Sequence, residues 1–219
     1  METKHKIIAV TPADRKRYLE ILSRYILADN SIQEWHLWDN CRSEDDRIFL
    51  NELARESSKV KVIRVEGGDG TNKSINLFYK FLADEDAFFI RIDDDVVFME
   101  KNFGAKLYER AIKEKDKYLW WSPIVINNAI CTYFLFAKGK LKTTYPLTAQ
   151  CMDKFSWGSP YFAEELHRWF IDIVNKGYLE SIKISEDIDI TISRFSINCI
   201  GFFGYKMQSL RRFTSTSWG

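Results

Sequence analysis

The sequence has no long uninterrupted apolar run. Its longest ones, such as residues 87–90, are far shorter than the ~20 residues that a membrane-spanning helix needs. Residues 1–6 are polar and lead straight into a predicted strand, so they do not resemble a signal peptide. We therefore expect a soluble, cytoplasmic protein without a transmembrane segment.

An excess of charge of one sign is also missing. The 32 basic and 31 acidic side chains leave a net charge of +1. Nucleic acids and anionic membranes are polyanions, and proteins that bind them usually carry a positive excess. The balance of charge therefore gives no reason to expect nucleic acid as a partner.

Closely paired cysteines and a Walker-type phosphate loop are absent as well. The four cysteines lie far apart and none belongs to a CxxC pair, so a zinc site is not indicated and we expect free thiols. Residues 67–73 read Gly-Gly-Asp-Gly-Thr-Asn-Lys, which does not have the spacing GxxxxGK[ST]. The glycines still permit close backbone approach to a ligand.

The sequence does contain enough apolar material for one substantial core. Of its 219 residues, 46% are hydrophobic and 15% aromatic. A chain of this length and composition fits one domain, or one domain with a small appendage.

The first half of the chain alternates strand and helix patterns. We predict strands over residues 6–10, 34–38, 60–65 and 87–92, and helices over 14–27, 43–56, 72–82 and 102–115. Such an alternation predicts a mostly parallel sheet with right-handed crossovers. In the second half we predict strands over 118–126 and 130–136, loops over 138–155, a helix over 160–175 and further strand within 187–203. Residues 211–219 are expected to be mobile, or to begin a linker to a longer protein.

Polar residues follow each predicted strand of the first half. Because ligands of parallel sheets bind beyond the carboxyl ends of the strands, these residues are expected to gather at one edge. The four segments are Thr11-Pro12, Asp39-Asn40, Gly67-Gly68-Asp69-Gly70 and Asp93-Asp94-Asp95.

Three consecutive aspartates after a buried strand attract the most interest. Clustered carboxylates repel one another, and a hard dication relieves the repulsion because it prefers carboxylate and phosphate oxygens. The alternative is a helix start with solvated aspartates.

The segment Phe89-Ile90-Arg91-Ile92-Asp93-Asp94-Asp95-Val96-Val97 resembles the DxD motif of GT-A glycosyltransferases, including viral and bacterial enzymes that build surface glycans. The resemblance covers about residues 6–115 and is looser beyond them. It implies a single GT-A-like, Rossmann-type α/β domain with an irregular acceptor-binding half. Residues 1–115 would bind the nucleotide sugar and residues 116–219 the acceptor.

The same resemblance implies roles for individual residues. Asp95 would bind Mn²⁺ or Mg²⁺ and bridge it to the donor diphosphate, and Asp93 would bond the ribose or help to hold the metal. Asp94 lies in the same nucleotide-sugar-binding segment without a defined role. Further donor contacts are expected from Thr11, Asp39 (to the uracil N3–H), Arg15 and Lys73, although a turn aspartate and solvated basic side chains remain alternatives.

The catalytic group is sought in a second acidic segment, Ser185-Glu186-Asp187-Ile188-Asp189. It resembles the segment in which inverting enzymes carry the base that takes the acceptor proton, and Asp187 is our choice. An exposed charged loop is the alternative. Family members often supply a late histidine to the metal, but the second half has only His167, in a predicted helix.

These expectations lead to a metal-dependent hexosyltransferase that uses a UDP-sugar donor and a glycan or similar acceptor. Two alternatives stay open: a sugar nucleotidyltransferase, although the glycine-rich signature with lysine is missing after the first strand, and a non-catalytic carbohydrate-binding module of the same fold.

Overall fold

The computed structural model describes residues 5–82, 84–186 and 197–207. The chain divides into two compact units, which are treated separately below. Unit 1 comprises residues 1–121 and 199–219, and unit 2 comprises residues 122–198.

Unit 1 is built on a five-stranded sheet of order β3-β2-β1-β4-β5. Strands β1 to β4 run parallel, and β5 pairs antiparallel with β4. The predicted fold class, a Rossmann-type α/β domain with a mostly parallel sheet, is confirmed. The strands are β1 (Lys6–Ala13), β2 (Glu34–Asp39), β3 (Val60–Ile63), β4 (Ala87–Ile92) and β5 (Cys199–Phe203).

Helices cover the sheet of unit 1 through their apolar faces. They are α1 (Lys16–Ala28), α2 (Glu44–Glu56) and α3 (Phe103–Lys113), and a 3₁₀ helix spans Ser74–Phe81. Ser43 caps α2, because its hydroxyl accepts a hydrogen bond from the backbone N–H of Asp46 (3.1 Å), as the sequence predicted. The residues of β4 are all buried, as expected for a strand covered on both faces.

Strand β1 is longer than predicted and continues through Pro12. Its pairing with β4 ends at Val10, whereas its pairing with β2 continues to Ala13. The backbone N–H of Asn40 donates to the carbonyl of Ala13 on the β2 side (3.1 Å). The backbone N–H and C=O groups of successive residues point toward opposite neighbouring strands. The backbone nitrogen of Pro12 therefore points toward the β4 side, where the pairing has already ended. Its missing N–H therefore costs the sheet no hydrogen bond.

The segment predicted as an α-helix over residues 72–82 is a 3₁₀ helix. Its sequence contains Asn76 and several aromatic residues, which have modest α-helix propensity. The neighbouring residues Phe78 and Tyr79 both contact Trp38, at ring-centroid distances of 5.5 and 5.3 Å. The helix therefore packs two successive side chains on the same indole.

Unit 2 is helical where we predicted strand. Residues 129–137 form α4 (Ala129–Ala137) rather than a strand, because the Asn128 side chain accepts hydrogen bonds from the N–H groups of Ile130 and Cys131 and so caps a helix. Residues 118–126 likewise form no extended strand; the described part shows an isolated bridge between Trp121 and Gly201, within unit 1. Helix α5 (Pro160–Asn175) has its predicted bounds.

The core of unit 2 is formed by aliphatic and aromatic side chains of α4, α5 and the segments that follow them: Leu135, Leu141, Leu147, Phe162, Leu166 and Ile182. A loop before α5 is organised by the buried Asp153, which accepts hydrogen bonds from Thr148, Phe155 and Ser156.

Candidate functional site at the carboxyl edge of the sheet

Asp94 joins the carboxyl ends of β1 and β4. Its side chain is 6% exposed. One carboxylate oxygen accepts three hydrogen bonds, from the backbone N–H groups of Asp14 and Arg15 (3.2 and 3.0 Å) and from Arg15 Nε (3.2 Å). The other oxygen accepts a hydrogen bond from Arg15 Nη2. This carboxylate is thereby committed to holding the turn between β1 and α1. Direct contact between Asp94 and a nucleotide sugar would require this carboxylate to give up these hydrogen bonds.

Asp93 and Asp95 are the accessible carboxylates of this cluster. Their side chains are 25% and 46% exposed. Each lies beside a guanidinium: Asp93 Oδ1 is 2.7 Å from Arg91 Nη1, and Asp95 Oδ2 is 3.1 Å from Arg15 Nη2. The two residues named as metal ligands from the sequence are therefore brought to the same edge, with cationic partners.

Arg15 lies between the buried and the exposed aspartates. Its hydrogen bond to Asp94, together with the charges of Asp94 and Asp95, raises the pKa of its guanidinium, although burial acts in the opposite direction. Its side chain is 37% exposed. Arg15 therefore keeps its positive charge and has a face open to an incoming ligand.

Asp39 lies at the end of β2, as predicted, but its carboxylate is already engaged. The side chain is 4% exposed and accepts hydrogen bonds from Arg64 Nε (2.9 Å) and Arg47 Nε (3.4 Å). Binding of a uracil N3–H by Asp39 stays a prediction, and it would require one of these arginines to move.

Thr11 lies inside the fold rather than on its edge. It is fully buried in β1, and its hydroxyl accepts a hydrogen bond from Trp35 Nε1 (3.0 Å). Contact between this side chain and a nucleoside would require the core to open, so the Thr11 side chain has a structural place here.

Lys73 is exposed and directly precedes the 3₁₀ helix, after the glycine-containing loop. This loop is tied to the end of β2, because the hydroxyl of Ser74 donates to Asn40 Oδ1 (2.6 Å). Gly70 has a φ of +76°, and a Cβ there would collide with Arg42 Cγ. The glycine at this position is therefore required by both conformation and space.

The predicted catalytic residue, Asp187, lies outside the described residues, and so does Asp189. The neighbouring Glu186 is exposed in unit 2 and pairs with Lys138 (2.7 Å). His167 is exposed on α5. The identity of the base stays a prediction.

A divalent cation would find two protein carboxylates at this edge. In the described part of the chain, no group of three His, Cys, Asp or Glu side chains could hold a metal ion. Mg²⁺ commonly keeps several waters and binds through one or two carboxylates together with substrate phosphates. Binding of Mn²⁺ or Mg²⁺ by Asp93 and Asp95, with a diphosphate supplying the other oxygens, stays a prediction.

Sequence reasoning named Arg15 as a candidate contact but missed the other arginines that neutralise this edge. Arg91 was noted as an exception in an apolar strand, but its pairing with Asp93 was not predicted. Arg42 binds Asp14 (Nε to Oδ2, 2.9 Å), and Arg47 and Arg64 bind Asp39. A signal was present, because an aspartate and an arginine lie within four positions of each other near the ends of β1, β2 and β4.

Comparison with known proteins places the chain in no family. No protein-family model and no curated protein matches it. Among solved structures, it is similar to 4-diphosphocytidyl-2C-methyl-D-erythritolsynthase from Anaerococcus prevotii DSM 20548, with 10% identity and a TM-score of 0.41. The match covers 77% of this chain and 97% of that one. A likeness this distant carries no argument about activity.

None of the helices in residues 5–82, 84–186 and 197–207 combines the length and the apolar character that crossing a bilayer requires.

Proposed function

We propose that unit 1 binds a nucleoside-diphosphate sugar with a divalent cation, and that the protein transfers the sugar, a hexose from a UDP donor, to a hydroxyl of a glycan or similar acceptor. The observation that carries the proposal is the pair of accessible carboxylates, Asp93 and Asp95, at the carboxyl edge of a parallel sheet. The resemblance of this segment to the DxD motif supports it.

Asp93 and Asp95 would hold the cation, together with phosphate and water oxygens. When bound, the cation would stabilise the negative charge that develops on the leaving diphosphate. Asp94 would keep the β1–α1 turn in position, and Arg15 would add positive charge beside the diphosphate.

The transfer breaks the bond between the anomeric carbon and the diphosphate oxygen, which leaves with the electron pair. A bond forms between the same carbon and the acceptor oxygen, whose proton passes to a base. Asp187 remains the proposed base because a carboxylate of the second acidic segment fits that task.

A thermal-shift series with nucleotides, with and without Mn²⁺, tests the binding step. A ligand at about 100 times its Kd stabilises the folded state by roughly 2.7 kcal/mol. We expect UDP and UDP-sugars to raise the melting temperature only when Mn²⁺ is present, and Asp95→Ala to abolish the shift.

Asp86→Ala is the matched control, because Asp86 is an exposed aspartate just before the opposite end of the same strand, β4. This variant should keep the full shift. A metal-dependent shift that survives Asp95→Ala would contradict the proposed site.

Sugar nucleotidyl transfer is the second candidate. Two exposed guanidinium groups at the same edge, Arg42 and Arg64, pair with Asp14 and Asp39 and would suit a triphosphate that displaced these carboxylates. Release of pyrophosphate from a nucleoside triphosphate and a sugar phosphate would favour this reaction. Release of UDP from a UDP-sugar would favour glycosyl transfer, and binding without either product would favour a carbohydrate-binding module.

A further inference from the structure

We propose that Arg15 is the resident counter-ion of Asp95, and that the divalent cation and the nucleotide diphosphate bind cooperatively because together they replace this contact. The inference rests on the proposed function and concerns the regulation of the same site. Arg15 thereby acts as a positioning residue. It weakens binding of the metal ion alone and strengthens binding of the metal ion together with the nucleotide.

The first argument is the way in which Arg15 is anchored. Its backbone N–H, its Nε and its Nη2 all donate to Asp94, which is buried. The contact with Asp95, an Nη2–Oδ2 distance of 3.1 Å, is an additional one made by the same guanidinium. Arg15 can therefore release Asp95 and remain fixed by Asp94.

The second argument is the difference between Arg15 and Arg91. Arg91 pairs with Asp93 but its side chain is buried in β4, whereas that of Arg15 is open to solvent. A ligand that arrives from solvent meets Arg15. We therefore assign to Arg15 the exchange of partners, in which its guanidinium leaves the carboxylate of Asp95 and binds a phosphate oxygen. The planar guanidinium can form hydrogen bonds with either group.

The third argument is the number of protein ligands. The proposal assigns Asp93 and Asp95 to the cation, and water would fill its remaining positions before the nucleotide binds. The cation would also face the nearby guanidinium charge of Arg15. A diphosphate supplies the missing oxygens and gives the guanidinium a new anionic partner.

Removal of the Arg15 charge should therefore have opposite effects on two affinities. Repulsion of a dication by a guanidinium several ångströms away, partly screened by solvent, is worth a factor of about five, so Arg15→Gln should tighten binding of Mn²⁺ alone by roughly fivefold. The same substitution removes a cation beside the diphosphate and should weaken UDP binding in the presence of saturating Mn²⁺ by about tenfold.

Titration calorimetry, supported by the electron paramagnetic resonance signal of free Mn²⁺, measures both affinities. Arg55→Gln is the matched control: Arg55 is exposed in the last turn of α2, which ends away from the carboxyl edge, and it should leave both affinities unchanged. Arg15→Lys, which keeps the charge, should bind Mn²⁺ alone like the unsubstituted protein. If Arg15→Gln does not fold, titration of Mn²⁺ into the unsubstituted protein with and without UDP provides the test, and equal Mn²⁺ affinities would overturn the proposed cooperativity.

The outcomes separate the two proposals. If the unsubstituted protein binds no UDP with Mn²⁺, the proposed function fails. If it binds both, but Arg15→Gln leaves the affinity for Mn²⁺ alone unchanged or weaker, the role of Arg15 is overturned and the function stands. The role of Arg15 would also be overturned if Arg15→Lys bound Mn²⁺ alone as tightly as Arg15→Gln does. The charge of the side chain would then be irrelevant to Mn²⁺ binding.

Discussion

The two edges of the sheet in unit 1 use charge in different ways. At the amino edge a single carboxylate, Glu34, joins the starts of three strands. It accepts hydrogen bonds from Lys6 on β1 (2.5 Å) and from Lys61 on β3. A third hydrogen bond comes from His36, two residues further along β2 (2.8 Å). The carboxyl edge carries five aspartates that pair with five arginines: Asp14, Asp39, Asp93, Asp94 and Asp95, with Arg15, Arg42, Arg47, Arg64 and Arg91.

The difference lies in whether the charged groups are satisfied within the fold or remain accessible to solvent. Burial alone would raise the pKa of Glu34, but hydrogen bonds from Lys6, Lys61 and His36 lower it to about 2. Its donors satisfy this carboxylate without any ligand. At the carboxyl edge, the pairs leave Asp95 and several guanidinium groups exposed to solvent. This cluster joins several elements of the fold and leaves charged groups accessible for the proposed ligand.

The largest expected loss of stability follows Asp94→Asn. An asparagine removes the negative charge from Arg15 and turns an amide NH₂ toward donors that need an acceptor. We expect the free energy of unfolding to fall by about 3 kcal/mol, and metal-dependent nucleotide binding to be lost with it. Urea denaturation measures the first effect and the thermal-shift assay the second. A fall under 1 kcal/mol would mean that Asp94 does not join the two strands energetically.

At the other edge, Glu34→Gln should destabilise by about 1–2 kcal/mol at neutral pH and leave nucleotide binding unchanged. The folded-state pKa of Glu34 lies below its ordinary value of 4.5, so its contribution is present above that pH. The contribution is lost as the pH falls from about 4.5 to about 2. Urea denaturation at several pH values should show the two proteins converging in this window. A constant difference would show that the ionised carboxylate is not the source.

Asp95→Asn should alter stability by no more than about 0.5 kcal/mol, because Asp95 is half exposed and its pair with Arg15 is accessible to water. Its effect on binding should nevertheless be complete, with no Mn²⁺-dependent shift by UDP. Paired denaturation and ligand titrations provide the check. A large loss of stability here would remove the distinction between Asp94 as a structural group and Asp95 as a binding group.

The smallest perturbation is chemical labelling of Cys41, at the carboxyl edge. Burial raises the pKa of its thiol, and the nearby charge of Asp39 raises it further. We expect Cys41 to resist iodoacetamide at pH 8 in the folded protein, and Asp39→Asn to accelerate its modification. Mass spectrometry of quenched samples follows both rates. Equal rates for folded and unfolded protein would contradict the burial of this thiol, and an unchanged rate in Asp39→Asn would contradict the effect of the Asp39 charge.

The sequence predicted the elements whose local signals agree with the tertiary structure. Strand β4 and helix α5 have their predicted bounds, and the Ser43 cap is present. Helix α4 was missed because residues 129–137 are almost uniformly apolar, so neither the helical nor the strand period appears, and the capping role of Asn128 decides the outcome.

The candidate site was predicted in outline but not in its internal roles. The order of strands made it possible to expect Asp39 and residues 93–95 at the same edge. The identity of the buried aspartate could not be predicted, because it depends on which of three adjacent carboxylates turns toward the N–H groups of Asp14 and Arg15, some 80 positions earlier in the chain. Pairing between arginines and aspartates from different elements is set by the same long-range geometry.

The hydrogen bonds between Trp121 and Gly201 have a consequence for protein engineering. The backbone N–H of each residue donates to the carbonyl of the other, at 2.9 and 2.7 Å, so the chain leaves unit 1 and re-enters it at adjacent points. A segment inserted between such neighbouring points can change in length or sequence without altering the span that it has to bridge. Chimeras that carry a different segment in place of residues 122–198 would keep every strand of the sheet, because β5 begins at Cys199.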